Sequence, residues 1–352
     1  MLWNVARSRC LSCATLLVWP HWPGNIFSTS STPAREVHGL SIFILIITGG
    51  IFIGVASLLV FALVRFRHRT GDMTEPPQVF GSMQIELAWT IIPILLIIVL
   101  FLGTARVIFA VQDAPKPTSA LDVTVVGHQF WWEFRYPKYN VVTANELHVP
   151  LSDPQSPTPT FLKLTSADVI HSFWIPRLAG KTDLLPNRVN EMWVDPHEPG
   201  LFLGQCAQFC GTQHAKMLLR VYVDSPQDFQ RWIAQQQQAQ QSGTPDPGDV
   251  AANRPESSDA ITPEQGRRVF EEQACMNCHT ISGTAANGRF GPDLTHLMSR
   301  ATIAAGIVPN TPENLRIWIT APDELKPGSL MPAMHLNELQ NAQLVAYLTT
   351  LR

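Results

Sequence analysis

Two long, nearly uncharged apolar runs, residues 40–64 and 85–111, restrict this chain more than any other feature, because they cannot all be kept out of water by a fold of ordinary composition. At about 1.5 Å per residue the first run makes a helix roughly 37 Å long, enough to cross the hydrocarbon of a bilayer with some tilt. Only 15% of the residues are charged, against about 25% in an average soluble domain. Between the runs stands Arg65-Phe66-Arg67-His68-Arg69, a basic cluster at a membrane edge. The positive-inside rule puts this short loop in the cytoplasm, and puts both the N-terminal region and everything after Val111 on the outer face. A formal net charge of −3 shows none of the general basicity that marks a nucleic-acid partner. Pro93 lies inside the second run, where neighbouring membrane helices can satisfy the backbone groups it frees. Gly50 and Gly54 permit close contact with another helix.

The external part carries a dense ligand set. Cys206, Cys210, His214 and Met217 fall within twelve residues, with Gln208 between the cysteines. Thiolate, imidazole and thioether together suit copper. Two thiolates four residues apart on one turn can each bridge a pair of copper ions, while His214 and Met217 close outer positions. A disulfide or a structural zinc site would explain an isolated cysteine pair, but zinc has no use for the Met217 thioether. A single-copper electron-transfer site uses one cysteine. The spacing therefore points to a binuclear copper site, which needs one more imidazole. His171 is the candidate, in Asp168-Val169-Ile170-His171-Ser172-Phe173 between the strand-like stretches 161–164 and 191–194. It is expected on a loop of a β-sandwich facing the cysteine loop. Further strand-like runs at 121–126, 130–136 and 219–223, with Pro-bearing turns between, predict an antiparallel sandwich. Ligands on loops at one end of a rigid sandwich keep their geometry while copper changes charge.

A second redox module follows. Cys275-Met276-Asn277-Cys278-His279 is a c-type haem attachment signature: two thiols add across the haem vinyl groups and the adjacent imidazole binds iron from one side. The sixth ligand should be a soft thioether if the haem carries electrons at a raised potential. Met331, in Lys326-Pro327-Gly328-Ser329-Leu330-Met331-Pro332, is the candidate and Met334 the competitor; Met298 reads as core. Helical patterns at 263–273, 312–320 and 337–351 flank the haem residues, with Thr262 as N-cap and Pro263 at the first position. Gly266 and Phe270 are expected to meet Leu344 and Tyr347. His148, His197, His296 and His335 read as surface or turn residues.

On these residues the chain resembles subunit 2 of cytochrome c oxidase, over roughly residues 40–225. The resemblance rests on Glu86-Leu87-Ala88-Trp89-Thr90 with Pro93, Gly127-His128-Gln129-Phe130-Trp131-Trp132, the Asp168 to His171 run, Lys181-Thr182-Asp183 and the copper loop. It implies a cupredoxin-like β-barrel for the copper domain, while 326–332 is similar to the methionine loop of small bacterial cytochromes c. It also implies that Gln208 gives a backbone carbonyl to one copper. The glutamate usual at that position also contacts a magnesium ion at the subunit 1 boundary, a contact that Gln208 puts in question. Where oxidases fed by a diffusing cytochrome carry an exposed tryptophan that receives the electron, this chain has Phe130, which lacks the indole N–H. Either Trp131 takes over or the donor docks elsewhere. Glu86, by the same resemblance, marks the cytoplasmic mouth of a proton path into subunit 1.

The expected organisation is a leader or periplasmic segment (1–39), a transmembrane hairpin (40–111), the copper domain (112–225), a helix and linker (226–258) and an all-α cytochrome c domain (259–352). Residues 11–19, after Arg7 and Arg9, have the order of a signal peptide with a short apolar core; Cys10 and Cys13 receive no role. Residues 226–241 read as an exposed glutamine-rich helix. Residues 242–258 read as a flexible tether with a reach of about 20 to 25 Å. A cytochrome held that closely has an effective concentration on the order of millimolar, so its docking need not be tight, and this accounts for Phe130. The chain is expected in a bacterial inner membrane, multi-pass, with its metals on the periplasmic face. It would take electrons from reduced cytochrome c or a membrane donor and pass them through haem and copper to an oxygen-reducing, proton-pumping partner subunit. The alternatives are the small subunit of a copper-containing nitric oxide reductase and a copper-delivery or assembly protein.

Overall fold

The computed structural model describes residues 25–67, 71, 75, 77–78, 80–114, 116–118, 120–241 and 260–352. Cys10, Cys13, His21, His68, the stretch 11–19 and the tether 242–258 lie outside the described residues.

Two helices, α1 (Thr32–Arg65) and α2 (Met83–Gln112), carry the apolar runs, and each is long and apolar enough to cross a membrane. Helix α1 starts eight residues earlier than the hydropathy run, because Pro33 at its first turn fixes a helical φ before the apolar stretch begins. The extension reaches the domain that follows the two helices. Ser30 N donates to Arg177 O (2.9 Å), Thr32 Oγ1 to Asp195 Oδ2 (2.7 Å) and Asp195 N to Ser31 Oγ (2.9 Å). At the other end of the hairpin, Trp193 Nε1 donates to Val111 O (2.6 Å). Both helix ends are thus bonded to one domain, which fixes its position relative to the two helices.

That domain is a sandwich of two five-stranded sheets. Its strands are β1 (Leu121–His128), β2 (Trp131–Tyr136), β3 (Val141–Ala144), β4 (Glu146–Pro150), β5 (Thr160–Ser166), β6 (His171–Trp174), β7 (Thr182–Leu184), β8 (Asn190–Val194), β9 (Gly200–Cys206) and β10 (Leu218–Asp224). The sheets run β3-β2-β1-β5-β8 and β4-β10-β9-β6-β7. Pairs β1/β5 and β4/β10 are parallel, so the sandwich is mixed and not antiparallel as the turn signals suggested. A turn signal marks a chain reversal but does not say which strand the next run will pair with. Alternating burial along β10, with Leu219, Val221 and Val223 inward, fills the core from one sheet. From the other come Trp132, Phe134 and Tyr136, all fully buried. Trp132 meets Phe173 edge to face at 5.3 Å.

Helix α3 (Pro226–Gln241) is not the exposed helix its glutamines suggested: Phe229 and Ile233 are buried in the sandwich core, and Trp232 stacks on His148 at 4.2 Å. Three apolar residues at helical spacing suffice to make one buried stripe. His148 is therefore no surface residue; Asp224 Oδ2 pairs with its Nδ1 at 2.7 Å. His296 is also buried, its Nδ1 3.2 Å from Arg352 O.

The last module is helical: α4 (Pro263–Glu272), α5 (Pro312–Thr320), a single turn α6 (Pro322–Leu325) and α7 (Glu338–Leu348). The expected cap is present, with Gln265 N donating to Thr262 Oγ1 (3.3 Å). Asn337 and Gln340 form a reciprocal capping box at the start of α7. Helices α4 and α7 cross at Gly266, and Phe270 meets Tyr347 edge to face at 6.0 Å. Met298 packs against this core, as expected.

Candidate metal centres

At one end of the sandwich the predicted copper residues converge. Cys206 ends β9, the loop returns through Cys210, a 3-10 turn (His214–Lys216) carries His214, and Met217 precedes β10. His171 opens β6 and so sits on a strand, not on the loop expected for it. Cys206 Sγ lies 3.9 Å from Cys210 Sγ and 3.9 Å from His171 Nδ1. Cys210 Sγ lies 3.8 Å from His214 Nδ1 and 3.9 Å from Met217 Sδ. Gln208 contributes its main-chain O, 3.2 Å from Cys206 Sγ.

These distances exclude a disulfide, whose sulfurs stand about 2.05 Å apart. They suit ligands shared around metal ions, since two donors each about 2.0 to 2.3 Å from one ion are separated by nearly 4 Å. The donor set divides naturally: His171 beside Cys206, and His214 with Met217 beside Cys210, with the thiols facing each other in the middle. The hydrogen bond between the two thiols lowers the Cys206 pKa and raises that of Cys210. The pair therefore loses one proton readily and retains the other, which metal must displace on binding.

Gly127 and Asp168 set the His171 ring. A Cβ on Gly127 would lie 2.8 Å from His171 Cδ2, so only glycine lets the ring occupy its place. Asp168 Oδ1 accepts from His171 Nε2 at 2.7 Å, which leaves Nδ1 for metal. Burial opposes the Asp168 charge, but hydrogen bonds from His171, Gln129 N and Val169 N outweigh it and hold the carboxyl below the usual carboxylate range. Asp168→Asn is expected to weaken copper retention about 10- to 100-fold, read by titration against a competing chelator; unchanged retention would assign Asp168 no part in orienting the ligand.

In the helical module, Cys275 and Cys278 are free thiols on one 3-10 turn and its exit. His279 Nδ1 donates to Pro292 O at 2.8 Å, which leaves Nε2 pointing the other way as an iron ligand. Burial lowers the His279 pKa, so the imidazole is neutral and able to bind metal. All three residues line a cavity of about 400 Å³ whose apolar walls include Phe270, Leu294, Leu315, Ile319, Leu344 and Leu348. Thiols, an oriented imidazole and an apolar slot fit a covalently attached haem. Met331 and Met334 both border the cavity; Met331 also packs on the apolar core.

The cavity does not stop at the module's own surface. Gln129, Phe130 and Trp131 of the copper domain form part of its wall. Phe130 and Trp131 are both buried, and Trp131 stacks on His128 at 4.1 Å. Gln129, which sequence reasoning passed over, lines the cavity and donates from Nε2 to Cys210 O at 2.6 Å. Its place inside the aromatic motif was visible; its dual contact depends on two modules meeting. Glu86, on the first turn of α2, lies far along the chain from both centres, and its carbonyl accepts from Thr90 Oγ1 at 2.9 Å.

Comparison with known proteins agrees with this geometry. Residues 20–105 match the family described as cytochrome c oxidase subunit II, transmembrane domain; residues 155–223 match its periplasmic domain; and residues 263–352 match cytochrome c. The chain is 34% identical over 312 residues to cytochrome c oxidase subunit 2 of Alkalihalophilus pseudofirmus, covering 86% of this chain and 84% of that one. It is 30% identical over 352 residues to cytochrome c oxidase subunit 2 of Bacillus subtilis, with 94% and 93% covered. Among solved structures, the periplasmic domain of subunit II of cytochrome oxidase of Bradyrhizobium japonicum is 28% identical, with a TM-score of 0.33, and is matched over 35% of this chain and 98% of its own length. With its two long apolar helices, cupredoxin-like domain and cytochrome c module in one polypeptide, the chain belongs to the cytochrome c oxidase subunit 2 family.

Proposed function

We propose that this chain is the electron-accepting subunit of a terminal respiratory oxidase, and that it relays electrons from its own haem c through a binuclear copper centre to a partner subunit that reduces oxygen to water and pumps protons. The observation that carries this reading is the common wall: Gln129, Phe130 and Trp131 border the haem cavity, and Gln129 is bonded to Cys210. When bound, the two groups would supply reversible one-electron chemistry.

The chain's residues supply the rest. Cys275 and Cys278 would anchor the haem, and His279 with Met331 would hold its iron. Cys206 and Cys210, with His171, His214, Met217 and the Gln208 carbonyl, would hold the copper ions. A rigid sandwich holds these donors still, and the buried walls exclude water, which keeps reorganisation small. The amide of Gln208 offers no carboxylate, so a magnesium ion beside this loop would have to be held by other donors. Glu86 is assigned to a cytoplasmic proton path. The hairpin spans the inner membrane with its metal domains in the periplasm. A Cβ on Gly50 or Gly54 would meet nothing within 4 Å, which leaves that helix face open to another oxidase subunit. Reduced cytochrome c or a membrane donor would reduce the haem.

The test is to purify the complex through this subunit and measure metal and haem content, consumption of oxygen and nitric oxide, and flash-induced haem oxidation. Two coppers and one covalent haem per chain, with oxygen consumed, are expected. Trp131→Phe should slow haem-to-copper transfer more than Phe130→Trp if Trp131 receives the electron. Fewer than two coppers, no covalent haem, or consumption of nitric oxide only would overturn the reading.

A further inference from the structure

The haem module touches the copper domain through two buried ionisable side chains, one sent from each side. Glu146, on β4, is 3% exposed and makes no ion pair among the described residues. Its carboxylate crosses to the haem module instead. Oε1 accepts from Ala301 N (3.0 Å), Thr302 N (3.1 Å) and Thr302 Oγ1 (3.2 Å), and Oε2 accepts from Ala301 N (3.2 Å). In the other direction, Lys326 is 3% exposed and its Nζ donates to Phe130 O at 2.7 Å and to Ala304 O at 3.4 Å. Burial pushes this ammonium down to about 7.

Desolvating a carboxylate or an ammonium is costly unless its hydrogen bonds are made. A surface meant only for transient collision leaves such groups in water, where they cost nothing. Here each group is withdrawn from water and satisfied by the backbone of the opposite module. The carboxylate meets two successive backbone N–H groups, and the lysine meets a carbonyl in the wall between the two metal sites. Near Lys326, Lys216 Nζ donates to Leu325 O at 3.3 Å, and Gln213 Nε2 donates to Pro327 O. The copper loop therefore braces the segment that leads to Met331.

We propose that Glu146 and Lys326 form a two-ended clasp that locks the haem module onto the copper domain in one pose, with Gln129 as the side chain shared by both sites. This replaces the loose docking that a tether alone would permit. Glu146 and Lys326 are positioning residues: neither touches a copper donor, and each acts by fixing where the haem cavity meets Gln129. The inference rests on the relay reading above only for its electron-transfer arm.

The test uses the purified complex carrying wild-type chain, Glu146→Ala, Glu146→Gln or Lys326→Met, each first checked for full haem c and copper absorption. Hydrogen exchange of a peptide containing Ala301 and Thr302 should rise about tenfold or more in Glu146→Ala and less in Glu146→Gln, since an amide keeps one acceptor. Haem-to-copper transfer should be insensitive to viscosity in wild type, and in Glu146→Ala and Lys326→Met it should slow about tenfold or more and become viscosity-dependent. Exchange and transfer that match wild type in all three variants would overturn the clasp, as would a wild-type rate that already falls with viscosity. Altered exchange in a complex whose wild type shows no haem-to-copper transfer would support the clasp and overturn the relay.

Discussion

Cys206→Ser is expected to reduce copper from the proposed two ions per chain to one or none, and to leave the haem reduced after a flash while its own absorption is intact. Cys206 Sγ is near the centre of the donor set, 3.9 Å from both Cys210 Sγ and His171 Nδ1. A serine oxygen is harder and bonds at shorter range, so it cannot bridge two soft ions across the same gap. It would also strand His171, whose side chain is fully buried and whose Nδ1 lies 3.9 Å from this sulfur. The loss should exceed the about 10- to 100-fold typical of changes to residues that merely orient ligands, which separates it from Asp168→Asn. Elemental analysis and the rate of haem reoxidation measure the two effects separately. Retention of two coppers with normal haem reoxidation would mean that the thiolate of Cys206 is not a bridge.

The contrast between what the sequence made legible and what it did not follows contact range. The copper loop could be read because four donors lie within twelve residues, so local spacing alone limits what they can bind. The haem attachment residues are adjacent for the same reason, and Thr262 announces α4 through a bond to a residue three positions on. His171 was assigned by chemical need, and its strand position was missed because nothing local marks where β6 begins. Glu146 gave no signal at all, since its partners are Ala301 and Thr302 in another module. The parallel pairing of β1 with β5 and the buried face of α3 depend likewise on which distant surface arrives. Gln129 shows both sides of this rule. Its motif was recognisable, but its bond to Cys210 requires the copper loop to fold back over β1 and β2.

Gly266→Ala is expected to unfold the haem module at a much lower temperature while leaving the copper domain unchanged. Helices α4 and α7 cross so closely at Gly266 that an added Cβ would lie 1.9 Å from Gln343 O and 2.7 Å from Tyr347 Cβ. Most of that obstruction is backbone, so no side-chain rotation relieves it, and the helices must move apart. Separation would also loosen the contact of Phe270 with Tyr347 and the burial of Leu344, all in one core. The higher helix propensity of alanine offers only about 1 kcal/mol in return, against overpacking that costs about 3 kcal/mol or more at a fixed backbone contact. The net of about 2 kcal/mol or more in a module of this size lowers its melting temperature by on the order of 10 °C. Haem absorption during heating reports the module, and copper absorption reports the sandwich in the same sample. A melting temperature of the haem module within 2 or so degrees of wild type, on the order of the error of such a scan, would mean that α4 and α7 do not cross at Gly266. A matching fall in both signals would mean instead that the two domains unfold as one unit.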